Sequence, residues 1–437
     1  MRKDKRRGVS LGSVLMIALT VLVIALCALF LLAIVGDDVY ERTGALMHLL
    51  TEQGLLGLDE RTPEPTLTPD GATPEPVAVP VMAAIAEASP IPAPQISAFT
   101  LAASGTVYAP KAVRTSAQDA AGNYDFTEIF AGLGDAFSAA DLSIVTLETT
   151  TAGEEKGYGS YNTPPQILDA LRAQGVDFVS LATERALDKG YNGLEITLRE
   201  LNSRALSYVG VGDGGAQMLN IGGVQVAILA YAYGLSDEGS EQTKGDERGM
   251  LALIDAERMT RDIVSARLNG ANVVIVLPHW GTKNRQETPD SVRTLARTLA
   301  EAGADVILGT HPNVVQGTER LRVTRSDGLE YDAVVCYSLG SLLTDARAPE
   351  NTAGVVAYLT ISYDPAERRA SLGELACTPL YIASQREEGE TVYRVVDVEN
   401  VAAMAALQED EREAAKQAAQ AVREITGQSA REEEGQG

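Results

Sequence analysis

The spacing of apolar positions changes several times along this chain, and each change marks a boundary. Residues 9–36 carry no charged side chain over 28 positions, and about 20 apolar residues suffice to cross a bilayer. Five basic residues and one aspartate lie in the first seven positions. An excess of Lys and Arg stays cytoplasmic, so the pattern predicts a basic tail at 1–8, a retained signal anchor at 9–36 and an extracytoplasmic remainder. The apolar stretch of a cleavable signal is shorter, about 7–15 residues, and no small-x-small cleavage site follows this one. Residues 37–60 read as a juxtamembrane amphipathic helix. From 61 to 96 Pro, Thr and Ala dominate, with Pro-Glu-Pro at 63–65 and again at 74–76. Such composition favours extended, semi-rigid chain, which predicts a stalk.

From residue 97 the pattern becomes that of a folded domain. Strands are expected at 99–102, 142–147, 178–182, 271–277 and 306–308, with helical stretches at 126–137, 165–173, 194–202 and 291–302. The run 271–277 is continuously apolar and rich in β-branched residues, as in a strand buried on both faces. This alternation argues for an α/β sheet covered by helices. Gly222-Gly223 joins 217–221 to 224–230, and Ser326-Asp327-Gly328 joins 315–323 to 331–337, both as hairpins. Later strands are expected at 355–361, 370–377 and 391–396, and this late β-rich half is expected to supply a second sheet. From 398 to 437 the chain reads as a C-terminal helix fraying into an acidic tail at Arg431-Glu432-Glu433-Glu434.

Charge narrows the partners. A net charge of −24 over 437 residues repels nucleic-acid phosphates and anionic lipid headgroups, so no nucleic-acid partner is expected. Of three cysteines, Cys27 falls within the expected span. Cys336 and Cys377 fall in strand-like segments, where a disulfide and two buried thiols are both compatible with the sequence. No Cys-x-x-Cys or Cys/His cluster suggests a zinc site.

Candidate chemistry sits where four apolar runs end. These are Ile144-Val145-Thr146-Leu147-Glu148-Thr149, Ser180-Leu181-Ala182 running to Ala186-Leu187-Asp188, Pro278-His279-Trp280-Gly281, and Gly309-Thr310-His311-Pro312. Carboxyl ends of strands are where open α/β sheets place ligand sites. In this order, over about residues 97–365, the segments resemble the CapA family of capsule and poly-γ-glutamate synthesis proteins, whose domain is a calcineurin-like metallophosphatase sandwich. The resemblance implies an α/β fold: a four-layer α/β/β/α metallophosphatase-like sandwich at 97–397, here preceded by one transmembrane helix and a Pro-rich stalk. It also implies two metal ions about 3.5–4 Å apart, caged by side chains from several strand ends.

Several of the implied ligand positions are replaced. Where the family carries Gly-Asp after its first strand, this chain has Gly105-Thr106, and a neutral hydroxyl is a poor bridging ligand for a hard dication. Asn-Leu-Glu becomes Thr146-Leu147-Glu148, in which Glu148 is either a metal ligand or a strand-end carboxylate paired with a basic side chain. Asn-Asn-His becomes Thr183-Glu184-Arg185, still followed by Ala186-Leu187-Asp188. The preferred reading places the Arg185 guanidinium in the vacated metal position, paired with Glu148 or Asp188; the alternative has it gripping an anionic ligand. His279 and His311 fall at implied ligand positions, and apart from His48 they are the only histidines. Thr310 and Asn313 stand where the family carries further histidines, and Ser341 in Ser338-Leu339-Gly340-Ser341 stands where it carries Asn.

The candidate set is therefore Glu148, His279 and His311 for metal, with His279, His311 and Asp188 for catalysis. Arg185, Glu184, Trp280, Asn313 and Ser341 are the candidates for ligand contact. The cofactor expectation is one divalent ion (Mn, Fe or Zn) or none. The uncharged span and its basic flank predict a single-pass cell-membrane protein with a cytoplasmic N-terminus, and the resemblance implies a role in synthesis, attachment or processing of a cell-surface polymer such as poly-γ-glutamate or capsule. With the two-metal site degraded, binding or assembly with the polymer or its synthesis machinery is expected. The alternative is a metal-dependent phosphoesterase or hydrolase using Glu148, His279 and His311. The sequence leaves the oligomeric state open.

Overall fold

The computed structural model describes residues 95–427, apart from 160, 213–214 and 326–327. The expected basic tail, anchor and juxtamembrane helix, nearly all of the linker and the acidic end of the tail lie outside the described residues. Among the described residues no helix is long and apolar enough to cross a membrane.

Two sheets form a mixed α/β fold. The first has nine strands, and its main path runs Glu390–Asp397, Ala376–Glu387, Ala353–Asp364, Ser97–Val107, Leu142–Leu147, Phe178–Ser180, Ser207–Val209. The last four strands of that path are mutually parallel, whereas the three before them are antiparallel. The second sheet has six strands in the order Gln217–Ile221, Val224–Ala232, Val273–His279, Val306–Leu308, Glu330–Cys336, Thr318–Thr324. Its four central strands are parallel.

The layers can be read from the two-residue period of a single strand. In Val224–Ala232, Val226, Ile228 and Ala230 enter the same core as Phe99, Leu101 and Val355 of the first sheet. The intervening Ala227, Leu229 and Tyr231 pack instead with Met259 and Ile263 of the Ala256–Leu268 helix and Ala296 and Leu299 of the Asp290–Ala302 helix. Both faces of this strand are covered, which is why its sequence is apolar throughout. Beyond the last strand, helices follow at Val401–Ala405 and Glu409–Thr426, and Ala415 packs against Tyr381 and Ala383.

Both expected hairpins are present, with Ile221 opposite Val224 and Thr324 opposite Glu330. One expectation is overturned. The late strands do not build the second sheet; Ala353–Asp364 pairs antiparallel with Ser97–Val107, Phe99 opposite Ile361 and Ala103 opposite Ala357. The opening strand is 11 residues long and buried along most of its length, so its free side needs a partner for its backbone groups, and the returning chain supplies one. The expected helix at 126–137 is also shorter than its pattern, spanning only Thr127–Phe130. Gly132 and Gly134 interrupt the stretch, and Gly134 adopts φ 61°, which no right-handed helix accommodates.

Candidate functional site

The parallel strands of both sheets end at one place. Val107 and Leu147 deliver Tyr108 and Glu148; Ser180 leads to Glu184 and Arg185. From the second sheet, Ala232 leads to Tyr233, His279 ends its own strand, and Leu308 leads to Thr310 and His311. The turn carrying His311 is pinned to the end of the His279 strand: Trp280 N–H donates to the Thr310 carbonyl at 3.0 Å and Thr310 N–H to the Pro278 carbonyl at 3.0 Å.

Glu184, His279 and His311 are buried together. Glu184 Oε2 lies 2.7 Å from His279 Nε2 and 3.7 Å from His311 Nδ1, and the two ring nitrogens are 3.3 Å apart. Donors that share one tetrahedral ion at about 2.0–2.2 Å sit about 3.3–3.5 Å from one another, so these three atoms fit a single divalent cation. Thr310 Oγ1 lies 2.9 Å from His279 Nδ1 and fixes the ring so that Nε2 faces the cluster. Glu148 is not the third member. The carboxylate comes from Glu184, in the segment where the sequence shows no histidine.

Glu148 is instead paired with a residue that the sequence reading did not select. Lys283 Nζ lies 3.3 Å from Glu148 Oε1 and 2.9 Å from Glu184 Oε1. Arg185 therefore does not pair with Glu148. Its Nη1 lies 3.3 Å from Asp188 Oδ2, its Nε 3.7 Å from Glu184 Oε1, and its guanidinium 3.8 Å from the centre of the Tyr161 ring. The only sequence signal for Lys283 is a basic residue four positions after His279 in an acidic chain. For Tyr161 there is none, because its position follows from a loop.

The charges settle accordingly. Burial, and next the charge of Glu184, push Glu148 up to about 7 against the pull of Lys283. Burial works to raise Glu184 as well, but the hydrogen bond with His279, the His311 ring nearby and the Lys283 charge outweigh it and hold the carboxyl below its usual range. Burial pushes His279 down to about 4 despite Glu184, so at neutral pH the ring is neutral and donates Nε2–H to an ionised Glu184. Burial also opposes the charge on Lys283, yet Glu148 and Glu184 outweigh it and keep the ammonium charged.

The remaining candidates divide by what they touch. Asp188 accepts from Ser236 Oγ and from Arg185 Nη1, so it holds the guanidinium in place and is not part of the Glu184, His279 and His311 cluster. Trp280, expected to touch ligand, is 2% exposed in the core beyond the second sheet and donates Nε1–H to the Tyr337 carbonyl at 2.9 Å. Its bulk is what the adjacent helices pack against. Thr106 Oγ1 donates to Asn313 Oδ1 at 3.2 Å and lies 3.4 Å from Ser341 Oγ. These three neutral residues form one hydroxyl and amide cluster, without the anionic donors that a hard cation prefers.

Aromatic rings form the wall above the buried charges. Tyr108 stacks on Tyr161 at 4.4 Å between centroids, and Tyr233, 49% exposed, leans on His311 at 4.4 Å. Among the described residues seven non-glycine positions have left-handed φ, and four of them, Tyr161 (56°), Asn284 (58°), His311 (98°) and Asn313 (59°), lie at or beside this pocket. Such backbone costs of order 1–3 kcal/mol per residue and gathers where geometry is imposed for function.

Residues 100–346 match the family described as bacterial capsule synthesis protein PGA_cap. The capsule biosynthesis protein CapA of Bacillus anthracis is 27% identical over 41% of this chain and 43% of its own length. The PGA biosynthesis protein CapA of Bacillus subtilis strain 168 is 30% identical over 42% of this chain and 46% of its own length. The matched region thus spans less than half of each relative. Among solved structures, the calcineurin-like phosphoesterase YfkN of Bacillus subtilis aligns with 76% of this chain and 99% of its own at 11% identity and a TM-score of 0.37, a likeness too loose to carry an argument. The family match covers more than half of the chain, and this chain belongs to the bacterial capsule synthesis protein family PGA_cap, the CapA family that its strand-end motifs resemble.

Proposed function

We propose that this chain is a membrane-anchored, extracytoplasmic protein that binds or assembles a cell-surface polymer, poly-γ-glutamate or capsule, during its synthesis, attachment or processing. In this reading residues 9–36 are a single-pass span with a cytoplasmic N-terminus, and residues 61–96 hold the domain off the membrane. Residues 97–397 form a four-layer α/β/β/α sandwich of the metallophosphatase type. The polymer class comes from the family and from the names of the relatives.

One observation carries the choice of binding over two-ion hydrolysis: positive charge in this pocket is supplied by side chains. Lys283 lies between Glu148 and Glu184, Arg185 lies on Tyr161, and they are 34% and 21% exposed. Fixed cations partly open to solvent pair with carboxylate groups of a polymer. The net charge of −24 repels a polyanion from the surface at large, so binding has to rest on these two side chains. The test is calorimetric titration of the full-length protein with poly-γ-glutamate at low ionic strength. Binding that weakens at least tenfold in Arg185→Ala supports the reading; wild-type protein that takes up no polymer would sink it.

The convergence of Glu184, His279 and His311 favours a second reading, a single-ion hydrolase. A divalent ion there would supply Lewis-acid polarisation and an activated water. The chain's own part is to hold it with those three donors, to fix the His279 ring through Thr310 and to shield His311 beneath Tyr233. Phosphoester cleavage that requires added Mn²⁺ and vanishes in His279→Ala would establish this reading in place of the first.

A further inference from the structure

The Glu148 and Glu184 side chains are each 2% exposed, and burying two neighbouring carboxylates without a compensating cation is costly. The compensation is the Lys283 ammonium, which reaches Glu148 Oε1 at 3.3 Å and Glu184 Oε1 at 2.9 Å. The other oxygen of Glu184 faces the histidine pair, with His279 Nε2 at 2.7 Å. Glu184 thus has a cation on one side, attached to the chain, and an ion-sized set of donors on the other. Two oxygens from separate buried carboxylates are also what a divalent ion uses as bridging and terminal ligands.

We infer that Lys283 is a resident cation that excludes a divalent ion from the position between Glu148 and Glu184, so that the pocket takes one ion fewer than its donors allow. The geometry gives the exclusion two causes. Nζ physically fills the space between the two oxygens, and its charge, on the far side of Glu184 from the histidines, repels any second cation that approaches. Removing the ammonium frees Glu148 Oε1 and leaves Glu184 Oε1 with only the more distant Arg185 Nε at 3.7 Å. Glu148 then becomes a ligand, together with the Oε1 side of Glu184, while the donor set of Glu184 Oε2, His279 and His311 is unchanged.

The test is metal stoichiometry. Full-length protein is stripped with chelator, and bound Mn²⁺ is counted by equilibrium dialysis with elemental analysis for wild type, Lys283→Met, Lys283→Arg and Lys283→Met combined with Glu148→Gln. The expected result is one more equivalent per chain in Lys283→Met than in wild type. That gain should be absent in Lys283→Arg, which keeps a cation, and lost again in the double variant. A folded Lys283→Met protein with the wild-type stoichiometry overturns the inference. Should Lys283→Met fail to fold, wild type decides the matter by electron paramagnetic resonance: spin-coupled Mn²⁺ pairs at saturation, or no bound Mn²⁺, overturn it, and isolated Mn²⁺ upholds it.

Discussion

His279 Nε2 and Glu184 Oε2 meet at 2.7 Å with both side chains withdrawn from solvent. The bond joins the carboxyl ends of strands from different sheets, so it closes the pocket as well as holding a carboxylate. Removing the imidazole leaves Glu184 ionised and buried with Lys283 as its main partner. His279→Ala should therefore cost about 3 kcal/mol, the upper end of the range for a hydrogen bond between a neutral donor and a buried charged group. Urea unfolding at pH 7 measures it, and a loss under about 1 kcal/mol would show that Glu184 does not depend on this ring. Added Mn²⁺ should raise the midpoint of wild type and leave that of His279→Ala unchanged.

Gly309 has no room for a side chain. A Cβ there would collide with the Tyr337 carbonyl and with Trp280 Nε1, the two groups that are hydrogen-bonded to each other at 2.9 Å. Gly309→Ala should cost about 2–3 kcal/mol through overpacking and shift the adjoining turn that carries His311. The chain has a single tryptophan, so its fluorescence reports on this contact alone. A red-shifted emission together with a lower thermal midpoint is expected, and unchanged emission at wild-type stability would contradict the crowding argument.

The folding pattern was legible where the period was strong, and the pocket where a strand ended in a chelating residue. Strand Val273–His279 follows from its apolar run, and His279 and His311 follow from their places after strands. Glu148 was equally visible, but its partner was not, because pairing across loops depends on backbone turns that leave no periodic trace. Lys283 reaches Glu148 across 135 positions of sequence. Trp280 departs from its expected ligand contact for the opposite reason: it directly follows the strand Val273–His279, and successive residues of extended chain point to opposite faces. His279 enters the pocket, so its neighbour must enter the core behind the sheet. The pairing of Ala353–Asp364 with the first strand was hidden because a strand's sequence carries no address for its sheet.

Arg185 should not be replaceable by lysine. Its planar group lies on Tyr161 at 3.8 Å while Nη1 reaches Asp188, and an ammonium cannot satisfy both contacts from one point. Burial opposes its charge, but Tyr161, Asp188 and Glu184 outweigh this and hold its pKa above the ordinary arginine value. Arg185→Lys is expected to weaken polymer binding about tenfold, with a stability change under about 1 kcal/mol because the site is partly open. Calorimetric titration with poly-γ-glutamate alongside a melting curve separates the two effects. Equal affinity in Arg185→Lys would show that charge alone suffices there.

Asp397 gives the chain a pH dependence remote from the pocket. Burial pushes its carboxyl up to about 6; the Glu399 amide opposes the rise, whereas the charges of Glu399 and Asp135 add to it. A folded-state value above the unfolded value of 3.8 means that the native protein holds the proton over a window in which the unfolded chain has released it. Stability from this group therefore falls as pH rises from about 4 to about 6 and stays lowered above that. Asp397→Asn removes the titration while keeping an acceptor for the Glu399 N–H, which lies 2.8 Å from Oδ1 in the native protein. The variant should be more stable than wild type by about 1–2 kcal/mol at pH 7, after allowance for the carboxyl's partial exposure, and the gap should close toward pH 4. Urea midpoints of both proteins across pH 4–8 check the sign. A difference that grows as pH falls would mean that Asp397 is stabilised in its charged form, contrary to its surroundings.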